Sequence, residues 1–186
     1  MHCPKDRIVE LVDSQLEGQL PTKRCPSCEG HWIPPEEYAA WKANFPEVGR
    51  ISALIDRILD AECAVAPLDA KAALCPDCSC FLARSKVSTR TPFYLERCPN
   101  CKGIWCDRGE WEVLTQLGLT TAIDHCFSPE WQTCTREREQ LSQERRATVE
   151  KLGPELATQI FQLAEVLEKH PNGDFGVAYL MRRFDK

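Results

Sequence analysis

The sequence predicts an α+β fold in which two small cysteine-rich modules, each with a β-hairpin and a short helix, are joined by an amphipathic helix and followed by a C-terminal helical region. Paired Cys-x-x-Cys turns in the middle of the chain, a similar arrangement near the N-terminus and helical spacing of apolar residues elsewhere indicate this fold. The predicted segments are residues 1–44 for the first module, 45–72 for the connecting helix and linker, 73–119 for the second module and 120–186 for the helical tail.

The second module carries two turns that suit one metal ion. Cys75-Pro-Asp-Cys78 is followed by Cys98-Pro-Asn-Cys101, and each turn can direct two sulfurs toward one point. Four soft thiolates suit tetrahedral zinc and leave no open coordination position. Gly103 is expected to take the positive φ that a turn of this kind needs. We therefore predict a closed zinc site formed by Cys75, Cys78, Cys98 and Cys101.

The N-terminal segment repeats this arrangement with one change, which predicts an internal repeat. Cys3 aligns with Cys75, and Cys25-Pro-Ser-Cys28 aligns with the Cys98 turn, but Asp6 stands where the second thiolate is expected. Zinc accepts a carboxylate oxygen, so the predicted ligands are Cys3, Asp6, Cys25 and Cys28. Two alternatives stay open: His2 or His31 supplies the fourth ligand, or this module holds no metal.

These residues resemble the bacterial zinc-ribbon family named after transcription factor IIB. Its members join a Cys-Pro-x-Cys turn, a β-hairpin and a Cys-Pro-x-Cys-x-Gly-x-Trp turn that leads into Asp-x-Gly-Glu. The resemblance is close over residues 75–114 and partial over residues 3–41. It implies two small zinc ribbons, the first degenerate, with one zinc ion bound by the cysteines of each. It does not imply a role in transcription, because many such ribbons are structural or protein-binding modules.

The charge of the chain disfavours nucleic acid as a partner. The 186 residues include 23 Lys and Arg against 28 Asp and Glu, a formal net charge of −5, and zinc thiolate sites add negative charge. A local basic strip occurs in the second hairpin, and we expect it to be a solvated face of that hairpin. The strip consists of Arg84, Lys86, Arg90 and Arg97.

Cysteine usage and hydropathy predict the compartment. No apolar run approaches the roughly 20 residues that span a bilayer, and Met1 leads into Cys3 without a charged and apolar leader. Paired Cys-x-x-Cys turns indicate metal thiolates in a reducing environment rather than disulfides. A cytoplasmic protein with no membrane partner is therefore expected.

Several helix signals lie outside the cysteine turns. Asp107 and Glu110 are expected to form a capping box rather than a catalytic pair. Ser128-Pro129 predicts the start of a charged helix, and two shorter helices with clear apolar stripes follow from Glu155 and Asp174. These tail helices are expected to form a bundle or to associate with a second copy of the chain.

The favoured function is a non-catalytic zinc-binding adaptor or regulatory protein that acts through protein–protein contacts. The transcription machinery is one candidate partner, and Trp41 and Trp131 are candidate anchors. The alternatives are a nucleic-acid-binding regulator, a zinc-dependent chaperone, an iron protein, or a redox or metal enzyme that uses the first site. The sequence shows no metalloprotease helix, phosphate loop or nucleophile elbow, so an enzyme is not favoured and no catalytic residue is assigned.

Overall fold

The computed structural model describes residues 1–46, 55, 58, 69 and 71–184. It confirms the α+β class and contains two compact units, Met1–Arg138 and Glu139–Lys186. The predicted connecting helix falls almost entirely outside the described residues. The strands are β1 Val12–Leu16, β2 Leu20–Arg24, β3 His31–Ile33, β4 Ala83–Val87, β5 Phe93–Arg97 and β6 Ile104–Cys106, and the α-helices are α1 Pro35–Lys42, α2 Glu110–Leu117, α3 Ile123–Cys126, α4 Pro129–Leu152, α5 Pro154–Lys169 and α6 Gly173–Phe184.

The six strands form one antiparallel sheet in the order β1-β2-β3-β6-β5-β4. In each ribbon a hairpin is followed by a third strand and then by a helix, so the two ribbons have the same order of elements. The ribbons meet where β3 pairs with β6, and Trp32 lies opposite Trp105 at the centre of that pair. The two ribbons are therefore halves of one sheet, joined about a local two-fold axis.

The helices that follow the third strands pack into a shared core. The Trp41 ring of α1 lies 5.5 Å from the Trp111 ring of α2, measured between centroids and in edge-to-face orientation. Ile55 and Ile58, from the predicted connecting helix, are buried in the same cluster. Trp131 also lies there, with 1% of its surface exposed, and Trp41 has 9% exposed. Their assignment as exposed anchors is wrong, because both indole rings are needed to fill this core.

The helix that begins the tail has the predicted start. The Ser128 hydroxyl accepts a hydrogen bond from the Trp131 backbone N–H at 3.1 Å, which is an N-cap, and Pro129 is the first helical residue. Gly153, with φ of 79°, separates α4 from α5. In the described part of the chain, no helix is long and apolar enough to cross a membrane.

Candidate metal centres

The second ribbon brings its four predicted cysteines together. The Sγ atoms of Cys75, Cys78, Cys98 and Cys101 lie within 4.8 Å of one another. The Cys75–Cys101 and Cys78–Cys98 sulfurs are 3.6 and 3.3 Å apart. A tetrahedral zinc with Zn–S bonds of about 2.3 Å holds its sulfurs roughly 3.8 Å apart, so the cluster fits zinc after small adjustments. Ligation of zinc by these four residues stays a prediction.

Three of the cysteine turns share one backbone geometry. The residue after the second cysteine has a positive φ in each, 62° at Glu29, 60° at Ser79 and 71° at Lys102. In all three turns the N–H of that residue donates to the carbonyl of the first cysteine. The prediction that Gly103 takes the positive φ is therefore wrong, because Lys102 does so instead.

Gly103 is needed for a close approach between the ribbons. A Cβ placed on it would lie 2.2 Å from Cζ2 of Trp32 in the other ribbon. The reciprocal contact occurs at Gly30, where a Cβ would lie 2.3 Å from Cζ2 of Trp105. Both distances are far below van der Waals contact, so each glycine makes room for the indole ring of the opposite ribbon. The cysteine clusters and these two rings belong to one buried apolar cluster.

The first ribbon brings three cysteines together. The Sγ atoms of Cys3, Cys25 and Cys28 lie within 4.8 Å of one another, and those of Cys3 and Cys28 are 3.6 Å apart. This arrangement fits three corners of a zinc tetrahedron. Among the residues that the structure describes, no fourth side chain of Cys, His, Asp or Glu joins the group.

The Asp6 carboxylate makes other contacts. Its two oxygens accept hydrogen bonds from the Ser27 hydroxyl at 3.2 Å and from the Ile8 N–H at 3.4 Å. Neither histidine alternative joins the cysteines: His31 lies in β3 with Nδ1 3.0 Å from the Thr22 hydroxyl, and His2 bridges to Glu10. Asp6 as the fourth ligand therefore stays a prediction that requires its side chain to turn toward the sulfurs.

The backbone of the Asp6 turn also differs from the other three. In those turns the N–H of the first cysteine donates to the carbonyl five residues later, as from Cys75 to Cys80 at 2.7 Å. The Cys3 N–H instead donates to Val9, six residues later, at 2.8 Å. The first turn is thus one residue longer, a difference that alignment of Cys3 with Cys75 and Asp6 with Cys78 does not reveal.

Each cluster holds one acidic thiol beside a less acidic one. A hydrogen bond from the Cys80 backbone is the largest cause that lowers the pKa of Cys78, to about 6, while burial raises the pKa of Cys75. In the first ribbon, the hydrogen bond between Cys3 and Cys28 lowers the pKa of Cys3 and raises that of Cys28. A divalent cation would displace the remaining thiol protons on binding.

A buried lysine joins the two ribbons beside these clusters. Lys5, within the first turn, has no exposed surface, and its Nζ lies 2.8 Å from Glu96 Oε1 and 3.3 Å from Asp107 Oδ2. It also donates to the backbone carbonyl of Lys71 at 2.9 Å. The Trp105 indole N–H donates to the other Asp107 oxygen at 2.8 Å. Lys5 thus neutralises carboxylates that the second ribbon buries.

The same location in the second ribbon carries the opposite charge. Asp77 aligns with Lys5, and its Oδ2 accepts the Trp32 indole N–H at 3.1 Å. The pKa of Lys23 is raised mainly by its hydrogen bond to Asp13 and further by the charge of Asp77. Lys23 aligns with Glu96, so the charge has the opposite sign at both aligned positions. Sequence reasoning missed this network, and the reciprocal exchange is the signal that identifies it.

A buried acidic group adjoins Lys5. Oxygens of Asp69, Asp107 and Glu110 lie within 4.8 Å of one another, and burial raises the pKa of Glu110 well above its usual range. Arg84 pairs with Asp69 at 3.3 Å. Because Lys5 and Arg84 supply positive charge here, we interpret this group as part of an ion-pair network.

Only one of the two interactions of the predicted capping box is present, the one made by the Glu110 side chain. The Asp107 N–H donates to Glu110 Oε2 at 2.8 Å, as expected of the glutamate in such a box. The Asp107 side chain does not cap α2, since its oxygens contact Trp105 and Lys5 instead. The carboxylate that the pattern assigned to the helix end therefore serves the contact between ribbons.

Comparison with known proteins agrees with this architecture. Residues 2–44 match the family described as "Transcription factor zinc-finger". The match covers the first ribbon, although the second has the four cysteines and the closer resemblance by motif. No curated protein and no solved structure matches the chain. The fold and the cysteine clusters are consistent with two zinc ribbons suited to binding zinc.

Proposed function

We propose that the protein is a non-catalytic zinc-binding adaptor or regulatory protein, with one zinc ion in each ribbon, that acts through contacts with other proteins. The observation that carries this proposal is the cluster of four sulfurs in the second ribbon. Four thiolates complete the coordination of tetrahedral zinc and leave no position for water or substrate, which is the pattern of structural sites. We also infer that the two ribbons are copies of one module.

Each ribbon needs zinc to fold, and a folded ribbon is needed to present a surface to a partner. Each contains few elements, and its cysteines lie in two turns that flank a hairpin. Bound zinc supplies cross-links between those turns, and a structural zinc contributes on the order of 10 kcal/mol to folding. The cysteines hold the ion, while Trp32 and Trp105 exclude water from the space between the clusters.

Exposed apolar residues at the turns of the ribbons are the candidate anchors for a partner. Phe81 is 72% exposed directly after the Cys75 turn, and Ile8 is 88% exposed in the Cys3 turn. Large apolar side chains of this kind supply much of the energy in protein interfaces. A partner in the transcription machinery is supported by the family description alone.

Charge supports a protein partner over nucleic acid. Two members of the basic strip form ion pairs within the molecule, Arg84 with Asp69 and Glu96, and Arg97 with Asp124 at 2.9 Å. These cations are therefore already neutralised. Two zinc sites would make the formal net charge more negative than −5, which opposes binding to phosphates.

Metal content measured by native mass spectrometry tests the zinc part of the proposal. We expect two zinc ions per chain for the wild type, and one for Cys98→Ser and for Cys3→Ser, because each substitution removes a thiolate from one site. Cys134→Ser is the matched control and should keep two. One zinc in the wild type that Cys3→Ser retains would show that the first ribbon binds none, and iron in place of zinc would contradict the proposal.

A pull-down with the tagged full chain tests the adaptor part. We expect a captured protein to be lost with Phe81→Asp or Ile8→Asp, because an anchor side chain would be replaced by a charge. The control is Lys86→Asp, a charge change in β4 away from the turns. A captured protein that all three variants retain would show that the turns do not form the contact.

A further inference from the structure

The tail helices form an apolar groove that the rest of their own unit leaves open. The groove lies between α5 and α6 and has a volume of about 1010 Å³. We call it the tail groove. Its lining is mainly apolar, with Glu168, His170 and Asp174 as its polar members, and includes Leu156, Ile160, Leu163, Leu167, Val177 and Leu180.

The Glu139–Lys186 unit does not bury these side chains. Among its described residues, only Ala157 and Gly173 are buried. Leu156, Leu163 and Val177 are 48%, 45% and 49% exposed. Gly176 lets α6 approach α5, since a Cβ there would lie 2.6 Å from Leu167 Cδ2. The two helices thus form a close hairpin whose apolar stripes still lack a covering layer.

The spacing of the stripes is that of helices in a bundle. In α5, Leu156, Ile160, Leu163 and Leu167 are separated by four, three and four residues. In α6, the apolar positions 177, 180 and 184 are separated by three and four. Alternation of three and four is the heptad pattern of helices that interlock side chains with neighbouring helices. The groove therefore suits helices as its occupant.

The exposed area matches that of a symmetric interface. Eight large apolar side chains of the groove are between 38% and 83% exposed: Leu152, Leu156, Ile160, Leu163, Val177, Leu180 and Phe184 from its lining, with Met181 beside them. Taking roughly 150 Å² for a large side chain, they offer on the order of 600 Å² per copy. Two such surfaces bury about 1,200 Å², which reaches the range of stable interfaces.

The charges of the two helices are complementary. Besides Lys169, α5 carries three acidic residues, Glu155, Glu165 and Glu168. Its partner helix α6 carries Arg182 and Arg183 in its last turn and a single acid, Asp174. In a two-fold arrangement that sets α5 of one copy beside α6 of the other, these opposite charges would lie at the rim of the interface.

We propose that the tail groove is covered by the same groove of a second copy, so that two α5–α6 hairpins form a four-helix bundle between two chains. This dimer does not depend on the proposed adaptor function, since it involves neither the cysteine clusters nor the exposed residues of the ribbons.

Sedimentation equilibrium of the zinc-loaded full chain tests the dimer. We expect the wild type to have twice the mass of one chain at micromolar concentration. Leu163→Asp should raise the dimer dissociation constant by at least about 100-fold, because it places two charges in the apolar centre of the bundle. Leu180→Asp, on the opposite wall of the groove, should have the same effect.

Val166→Asp is the matched control. Val166 lies on the same helix and is 62% exposed, but it does not line the groove. It should remain a dimer. A wild type that is still monomeric at a concentration 100-fold above micromolar would overturn the proposal. The groove would then be covered by another part of the chain or by a different partner. A dimer that both groove variants retain, or that Val166→Asp abolishes, would overturn the assignment of the face. A result that contradicts the adaptor proposal, such as a missing zinc ion or no captured partner, does not bear on the mass of the dimer. The adaptor proposal and the dimer proposal can therefore be overturned independently.

Discussion

The glycine beside each cysteine turn has a role that its own backbone does not reveal. Gly103 and Gly30 each face an indole ring from the other ribbon, and a Cβ at either would overlap that ring. The glycine and the tryptophan of one Gly-x-Trp motif therefore both contact the same motif of the other ribbon. The glycine of each receives the tryptophan of its partner.

Substitution of Gly103 tests this contact. Gly103→Ala should lower the free energy of unfolding by about 1–3 kcal/mol, because the added methyl group collides with Trp32. In a Trp32→Phe background the cost should fall below about 1 kcal/mol, since the colliding ring atoms are gone. Denaturant unfolding in excess zinc measures both values.

A Trp105→Phe background serves as the control for this cycle. Trp105 faces Gly30 rather than Gly103, so the full cost of Gly103→Ala should persist there. Equal rescue by both backgrounds would mean that the cost arises from the turn itself and not from the Trp32 contact.

At this scale the sequence predicted the four-cysteine cluster but not the surroundings of Asp6 and Lys5. Two Cys-x-x-Cys turns place their sulfurs by local geometry, so their spacing is sufficient. The first turn has an extra residue, and its Lys5 is buried only because Glu96 and Asp107 come from the other ribbon. Such partners are remote in sequence and follow from the docking of the ribbons.

The pairing of β3 with β6 decides the arrangement of the elements. Each of these strands has three residues, too short to show alternation, and their partners are more than 70 residues apart. The hairpins, by contrast, follow from local sequence and were predicted. A connecting helix was expected to bring the ribbons together, and in the described residues this strand pair joins them directly.

Lys5 also joins the two ribbons, through ion pairs with Glu96 and Asp107. Lys5→Met should lower the free energy of unfolding by about 3–5 kcal/mol, because the buried Asp107 carboxylate would lose its cation and Glu96 would keep only Arg84. The measurement is denaturant unfolding at neutral pH in excess zinc.

Lys23→Met is the control for Lys5. Lys23 forms its ion pair with Asp13, whose side chain is 91% exposed, so its loss should cost about 1 kcal/mol or less. A cost for Lys5→Met no larger than this would show that solvent reaches the buried network.

At the scale of the whole molecule, the two compact units depend on different forces. All twelve cysteines precede residue 139, as do all five tryptophans. The Met1–Arg138 unit therefore holds every candidate metal ligand, whereas Glu139–Lys186 is helical and has no cysteine. Helix boundaries in the tail were predictable from caps and periodicity, but the partner of its apolar stripes was not, because a stripe specifies burial without specifying what covers it.

Removal of zinc should unfold the ribbons and leave the helices of the Glu139–Lys186 unit folded. A strong chelator under reducing conditions should abolish the near-ultraviolet circular dichroism of the tryptophans, since their packing depends on the metal-stabilised ribbons. A substantial part of the helical signal at 222 nm should remain, because α5 and α6 bind no metal. Complete loss of both signals together would contradict independent stability, and zinc readdition is the control for reversibility.

The exchanged charges across the two ribbons have a consequence for which ribbons can pair. A strand left open at a sheet edge invites pairing with any similar strand, including that of a second chain. Two first ribbons placed face to face would bring Lys5 against Lys23, and two second ribbons would bring Asp77 against Glu96. Like charges therefore penalise both self-pairings, whereas the unlike ribbons of one chain attract. The exchange thus disfavours pairing of two like ribbons and favours pairing of a first ribbon with a second one.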